Sequence, residues 1–98
     1  MAFLVCYDIE DNRAREKFAQ MLLKAGLARI QLSVFMGNMR PELTDQLAKA
    51  IAKKWIKRPP SDKCYMIYIP DDNVENARCF GEKPDWEVIL GKLKYRIM

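Results

Sequence analysis

The stretch that most constrains the fold is the first one, Ala2 to Asp8, where the apolar run Ala-Phe-Leu-Val-Cys-Tyr leads directly into an acid. Side chains of a strand alternate between its two faces, so a run that is apolar at every position reads as a strand covered on both sides and central in its sheet. A carboxylate at the end of such a strand leaves the core where loops and helix N-termini gather. Two roles are open to Asp8 on that basis: a functional acid at a strand tip, or a residue that only tidies the start of the next helix.

Downstream of Asp8, Ile-Glu-Asp-Asn suits a short loop and an N-cap, with Asp11 or Asn12 placed to accept from the first helical N–H groups. Phe18, Met21, Leu22 and Ala25 then recur at helical spacing with Ala14 one turn earlier, while Arg13, Lys17, Gln20 and Lys24 share the opposite face. Gly26 ends this helix as a C′ residue, and Leu27 is placed to pack back. Arg15 falls beside the apolar stripe, away from the solvated lysines, and close in sequence to the acid. The segment Arg29 to Gly37 alternates, with Ile30, Leu32, Val34 and Met36 on one face and Gln31, Ser33 and Phe35 on the other, and it reads as one strand. Pro41 opens a second helix whose apolar side is Leu43, Leu47, Ala50, Ile51 and Trp55, and Pro59-Pro60 stops it. Its end carries Lys53, Lys54, Lys57 and Arg58, a group suited to phosphate but equally to the negative end of a helix. Cys64 to Ile69 is again apolar on both faces; Ala77 to Gly81 reads as a short strand, Trp86 to Leu90 as a last strand or short helix, and the closing Lys-Leu-Lys-Tyr-Arg-Ile-Met as an edge strand or partner-binding tail.

Ninety-eight residues, half of them apolar, bury one core, so residues 1–98 are expected to form a single domain. The order β-α-β-α-β with short strands behind it gives two helices to a sheet of four or five strands. Two helices cover one face. The strands at Ala2 and Cys64 are apolar on both, and the remaining face calls for a second copy of the chain, with residues 84–98 free to pair with the partner subunit.

The chain contains no histidine, which removes His-based nucleophilic triads, a His general base and His-containing zinc sites. Hydrolysis would have to rest on carboxylates, Arg and Lys, hydroxyls and a hard, oxygen-preferring cation such as Mg2+. The three cysteines, Cys6, Cys64 and Cys79, are widely spaced with no Cys-x-x-Cys, which suggests neither a disulfide framework nor a thiolate metal site. Seventeen basic against 13 acidic residues, a net charge of +4, permit a polyanionic partner. The sequence has neither an apolar run of membrane-spanning length nor a cleavable leader pattern, so a soluble, cytoplasmic protein without membrane association is expected.

Two ordered blocks give the chain a resemblance: Leu-Val-x-Tyr-Asp-Ile at Leu4 to Ile9, followed by Asp11 and Arg15, and, beyond Gly26, Arg-Ile-Gln-x-Ser-Val-Phe-x-Gly at Arg29 to Gly37. On these it resembles the CRISPR-associated protein 2 family, strongly over the first half and in layout over the second. The resemblance implies a ferredoxin-like α+β sandwich, two helices on one face of a mainly antiparallel sheet, a separate hairpin within Arg29 to Gly37, a symmetric homodimer, and a divalent metal, Mg2+ or Mn2+, between the two copies of Asp8. It carries over Asp8 as metal ligand and catalytic acid, Arg15, Arg29, Ser33 and Phe35 as further active-site positions, and Tyr7 as a nucleic-acid contact. Arg13 and Lys17 are expected to bind nucleic acid through their charge. Lys17 stands where some relatives have arginine, keeping the charge but losing bidentate geometry, and Leu32 where tyrosine is frequent.

Such a protein is expected to be a metal-dependent endonuclease on RNA or DNA acting in new-spacer acquisition. In that reading Arg15 or Arg29 steadies the developing charge, Ser33 donates near the metal, and Phe35 either stacks a base or packs in the core. The rival is a non-catalytic dimeric adaptor that holds duplex DNA on Arg13, Lys17, Lys24, Lys53, Lys54 and Lys57 and docks a CRISPR integrase subunit. A third reading is a ribonuclease toxin of the similar virulence-associated protein D family, which shares the fold.

Overall fold

The computed structural model describes residues 1–92. Its elements run β1 (Ala2–Asp8), α1 (Asn12–Lys24), β2 (Ala28–Gln31), β3 (Val34–Gly37), α2 (Pro41–Trp55), β4 (Lys63–Ile69) and two short helices, α3 (Asp71–Glu75) and α4 (Trp86–Ile89). The strands form one sheet in the order β2-β3-β1-β4, every neighbouring pair antiparallel. Each of the two longer helices therefore crosses over one intervening strand, which is the ferredoxin-like α+β arrangement. The doubly apolar run at the N-terminus is a central strand, with β3 on one side and β4 along its full length on the other.

Local chemistry accounts for the helix limits. Asp11 caps α1 by accepting the Ala14 N–H at 2.8 Å. At the other end Gly26 takes φ +97°, the Leu27 N–H returns to Leu22 O at 3.2 Å and the Gly26 N–H to Leu23 O at 3.0 Å. That pair of bonds is a Schellman closure, and only glycine enters its left-handed residue without strain. Pro41 sits in the first turn of α2, where its missing N–H is no loss. Thr44, Leu47 and Ile51 are the buried positions of α2, while Leu43 and Ala50, expected on the apolar side, are exposed. Thr44 takes the inward place by donating its hydroxyl to Pro41 O and meeting the Tyr68 hydroxyl.

The sheet separates two apolar layers. Phe3, Val5, Tyr7 and Phe35 face α1 and α2 and pack with Phe18, Leu22, Leu47 and Ile51. The alternate residues Ala2, Leu4, Met36 and Ile69 face the other way, and there Val74, Trp86, Ile89 and Leu90 of this same chain cover one end. The rest of that face is open, with Tyr65 57% and Ile67 48% exposed on β4.

Three expectations need correction. Arg29 to Gly37 is two strands and not one, reversing at Leu32-Ser33. Leu32, expected on an apolar strand face, is 82% exposed at the tip. The turn uses no positive φ at a residue other than glycine; a bulge between Arg29 and Gln31 absorbs the mismatch between such a turn and the strand twist. Ala77 to Gly81 forms no strand: among the described residues none pairs with it, and Phe80 lies 93% exposed. The sheet has four strands among the described residues, and Trp86 to Leu90 resolves into the short helix α4 with its C-cap. The proposed edge strand or tail at 92–98 lies almost wholly outside the described residues.

Candidate functional site

The tip of β1 is defined by its two neighbours. Asp8 stands opposite Lys63 on β4, and Tyr7 N–H donates to Ser33 O at 3.1 Å across the β2–β3 turn. By strand alternation Asp8 projects to the side of Leu4 and Cys6, the sheet face that α1 and α2 leave uncovered. It is exposed, and no hydrogen bond or ion pair engages it among the described residues. The sequence placed the acid at the strand tip; the fold adds that it stands at the rim of an open apolar face.

The loop that follows is held by two ionic side chains. Arg15 donates from Nη1 to Ile9 O at 3.1 Å and to Glu10 O at 3.4 Å, and from Nη2 to Asn12 Oδ1. From below, Asp62 accepts the Glu10 N–H at 3.2 Å, its side chain 1% exposed and 3.6 Å from the Arg58 guanidinium. Asp62 went unnoticed in the sequence. It stands after Pro-Pro-Ser with no periodicity around it, and only the folded chain brings it 52 residues back to Glu10.

The other expected site residues divide between the two sides of the sheet. Tyr7 is 6% exposed, lies edge-on to Phe18 at 4.7 Å and parallel to Phe35 at 6.1 Å, and donates its hydroxyl to Leu32 O at 3.3 Å. Phe35 is fully enclosed. A ring so placed has no face to offer a base, and it packs in the core, with the Arg29 guanidinium 5.1 Å from its centroid. Register puts Arg29 opposite Phe35, hence on the helix-side face, away from Asp8. Ser33 is partly buried in the β2–β3 turn and is fixed there through its carbonyl. Lys63 is the residue that register sets opposite Asp8, whereas the Arg15 guanidinium is committed to the Ile9 and Glu10 carbonyls and to Asn12.

Arg13 and Lys17 instead line a groove of about 490 Å³ between the start of α1 and the end of α2. Lys53 and Lys54 on α2 and Lys57 in the turn just after it line the other side, and Trp55 contributes to the wall with Phe18. The clustering expected for a helix C-terminus has become a cleft shared by two helices. Among the described residues none of these five cations is in a salt bridge.

No three carboxylates and thiols converge on a common point among the described residues. What the strand tip offers is one unengaged carboxylate. Mg2+ commonly binds through one or two carboxylates and keeps several waters, so this donor suits it once a second carboxylate is supplied. The free thiols are no rivals for the role. Cys64 is pushed up to about 11 from 9.0, first by burial and then by the neighbouring Cys6.

A helix-backed antiparallel sheet whose central strand ends in a free acid, with a basic cleft between its two helices, defines a small ferredoxin-like α+β protein. Comparison with known proteins narrows the class. The family model for "CRISPR associated protein Cas2" matches residues 1–77, and the chain belongs to that family. It is 35% identical over 80 residues to a "CRISPR-associated endoribonuclease Cas2 1" of Methanospirillum hungatei, covering 82% of each chain. Over 100 residues, 99% of each chain, it is 28% identical to a "CRISPR-associated endoribonuclease Cas2" of Thermofilum pendens. A "CRISPR-associated endonuclease Cas1/endonuclease Cas2 fusion" of Thermoproteus tenax is 43% identical over 53 residues, 54% of this chain and 20% of that longer one.

Proposed function

We propose that this chain is a Mg2+-dependent endonuclease, hydrolysing phosphodiesters of RNA or DNA, that works as a cytoplasmic homodimer in CRISPR spacer acquisition. The observation that carries the reading is the place of Asp8: unengaged, exposed, and on the sheet face left open beside Tyr65 and Ile67. A second copy laid on that face buries the apolar surface and brings a second Asp8 to the same rim. The naming of relatives as endoribonucleases supports the choice of reaction. Among the described residues no helix is long and apolar enough to cross a membrane.

In this reading the residues divide the labour. The two Asp8 carboxylates would hold Mg2+ or Mn2+, and the ion would supply water activation and offset phosphate charge. Arg15 holds the Ile9 and Glu10 carbonyls, so it acts as a positioning residue for the loop that carries the acid. Arg29, over the Phe35 ring on the other side of the sheet, takes no part at the Asp8 rim.

The test is cleavage of labelled RNA and DNA with and without Mg2+ for the parent and Asp8→Ala. The variant is expected to melt within about 0.5 kcal/mol of the parent, as an exposed substitution away from packed features does, and to lose cleavage. Equal cleavage by both would end the catalytic reading. So would sedimentation as a monomer at micromolar concentration, since one carboxylate would then stand alone.

A second reading is favoured by a separate observation, the basic cleft between α1 and α2. In it the dimer is a non-catalytic adaptor for duplex DNA and docks an integrase subunit; a relative named as a fusion of endonuclease Cas1 with endonuclease Cas2 shows that a Cas2 chain can be tied to a second CRISPR protein. Integration that survives Asp8→Ala would choose this reading over the first.

A further inference from the structure

The basic cleft holds more than charge. An indole, Trp55, is partly buried in its wall, edge-on to Phe18 at 5.7 Å and 70°. Around it stand Arg13, Lys17, Lys53, Lys54 and Lys57, and the one lining acid, Asp11, is occupied as the N-cap of α1. A surface that meets duplex DNA needs cations along the phosphates and no apolar floor, because the bases are stacked inside. Here an apolar aromatic wall and a cationic rim share one concavity of about 490 Å³, in the size range of small-ligand sites. That pairing matches a base beside its phosphate, the chemistry by which single strands are held without sequence preference.

We infer that the cleft is a subsite for an unpaired nucleotide of single-stranded nucleic acid, its base against Trp55 and its flanking phosphates on the lysines and Arg13. The inference rests on the nucleic-acid reading above but not on catalysis. By strand alternation Asp8 projects from the sheet face opposite the helices, and Arg15 anchors the loop between the two features. The cleft and the strand tip are therefore separable by mutation.

The chain has two tryptophans, so a Trp86→Phe background leaves Trp55 as the sole indole and its emission as the probe. Titrations are run in EDTA, where cleavage is not an issue, with a thymidylate 12-mer, a duplex of equal length, thymidine monophosphate and inorganic polyphosphate. The 12-mer is expected to quench Trp55, and Trp55→Leu to weaken its binding, read by anisotropy, roughly 5- to 150-fold. Should that variant misfold, the exposed pair Lys53→Glu and Lys54→Glu is expected to abolish quenching at unchanged circular dichroism. Asp8→Ala is expected to bind as the parent does, so loss of cleavage and loss of the subsite are told apart. Duplex or polyphosphate binding as tightly as the 12-mer, or an unaltered affinity in a folded Trp55→Leu, would overturn the base subsite; monophosphate binding as tightly would overturn the strand as its occupant.

Discussion

Replacing Phe35 decides between two roles for one ring, a base-stacking platform or a member of the core. The side chain is 0% exposed, parallel to Tyr7 at 6.1 Å and 5.1 Å from the Arg29 guanidinium. Burial of such a ring contributes about 1.5–3 kcal/mol, its aromatic partner about 0.5–1.5 kcal/mol, and a cation at an exposed position about 0.5–1 kcal/mol. Phe35→Ala also leaves a cavity that its rigid neighbours on β1 and β2 close only in part, so the expected loss is about 3–5 kcal/mol. That is a large share of the roughly 5–15 kcal/mol by which a domain is stable. Phe35→Leu refills most of the volume and is expected to lose about 1 kcal/mol, keeping nucleic-acid binding intact. Urea unfolding followed by circular dichroism, at one fixed protein concentration because a dimer's stability depends on it, measures both. If Phe35→Ala unfolds within about 1 kcal/mol of the parent while nucleic-acid affinity collapses in both variants, the ring serves ligand and the packing argument is wrong.

Two further outcomes are expected. Asp62→Ala removes the acceptor of the Glu10 N–H and the counter-charge of Arg58, and is expected to destabilise by about 1–3 kcal/mol; hydrogen exchange at the Glu10 amide should accelerate with it, and unchanged exchange would remove Asp62 from its role beneath the loop. Cys64 is an acid with a pKa raised in the folded state, about 11 against 9.0, chiefly by burial; the unfolded chain ionises first as pH rises from 9.0 towards 11, so stability is full below that window and falls within it. Alkylation at pH 8 should therefore mark exposed Cys79 first and Cys64 roughly a hundredfold more slowly than an ordinary thiol, and labelling at equal rates would contradict the burial.

Most of the scaffold was legible from local pattern. The central place of β1 followed from its doubly apolar run, the α1 end from Gly26, and the α2 start from Pro41, each of which acts through its own backbone chemistry. The β2–β3 reversal was legible only through the family resemblance and not from local pattern, because Leu32-Ser33 carries no glycine, proline or asparagine and the alternation runs straight across it. Its position is set by pairing with β1, through Tyr7 to Ser33, which is a long-range contact.

The same division runs through the site. The sequence by itself determined that Asp8 ends a buried strand and that histidine chemistry is absent, since both depend only on which residues are present and in what order. Tertiary structure decided which face each residue looks out on. It took Phe35 and Tyr7 into the core, turned Arg29 away from the acid, committed Arg15 to carbonyls, brought Asp62 under the loop and joined two basic helix ends into one cleft around Trp55. Charge and polarity are properties of a residue, whereas exposure and neighbourhood belong to the packed chain, and a site needs both.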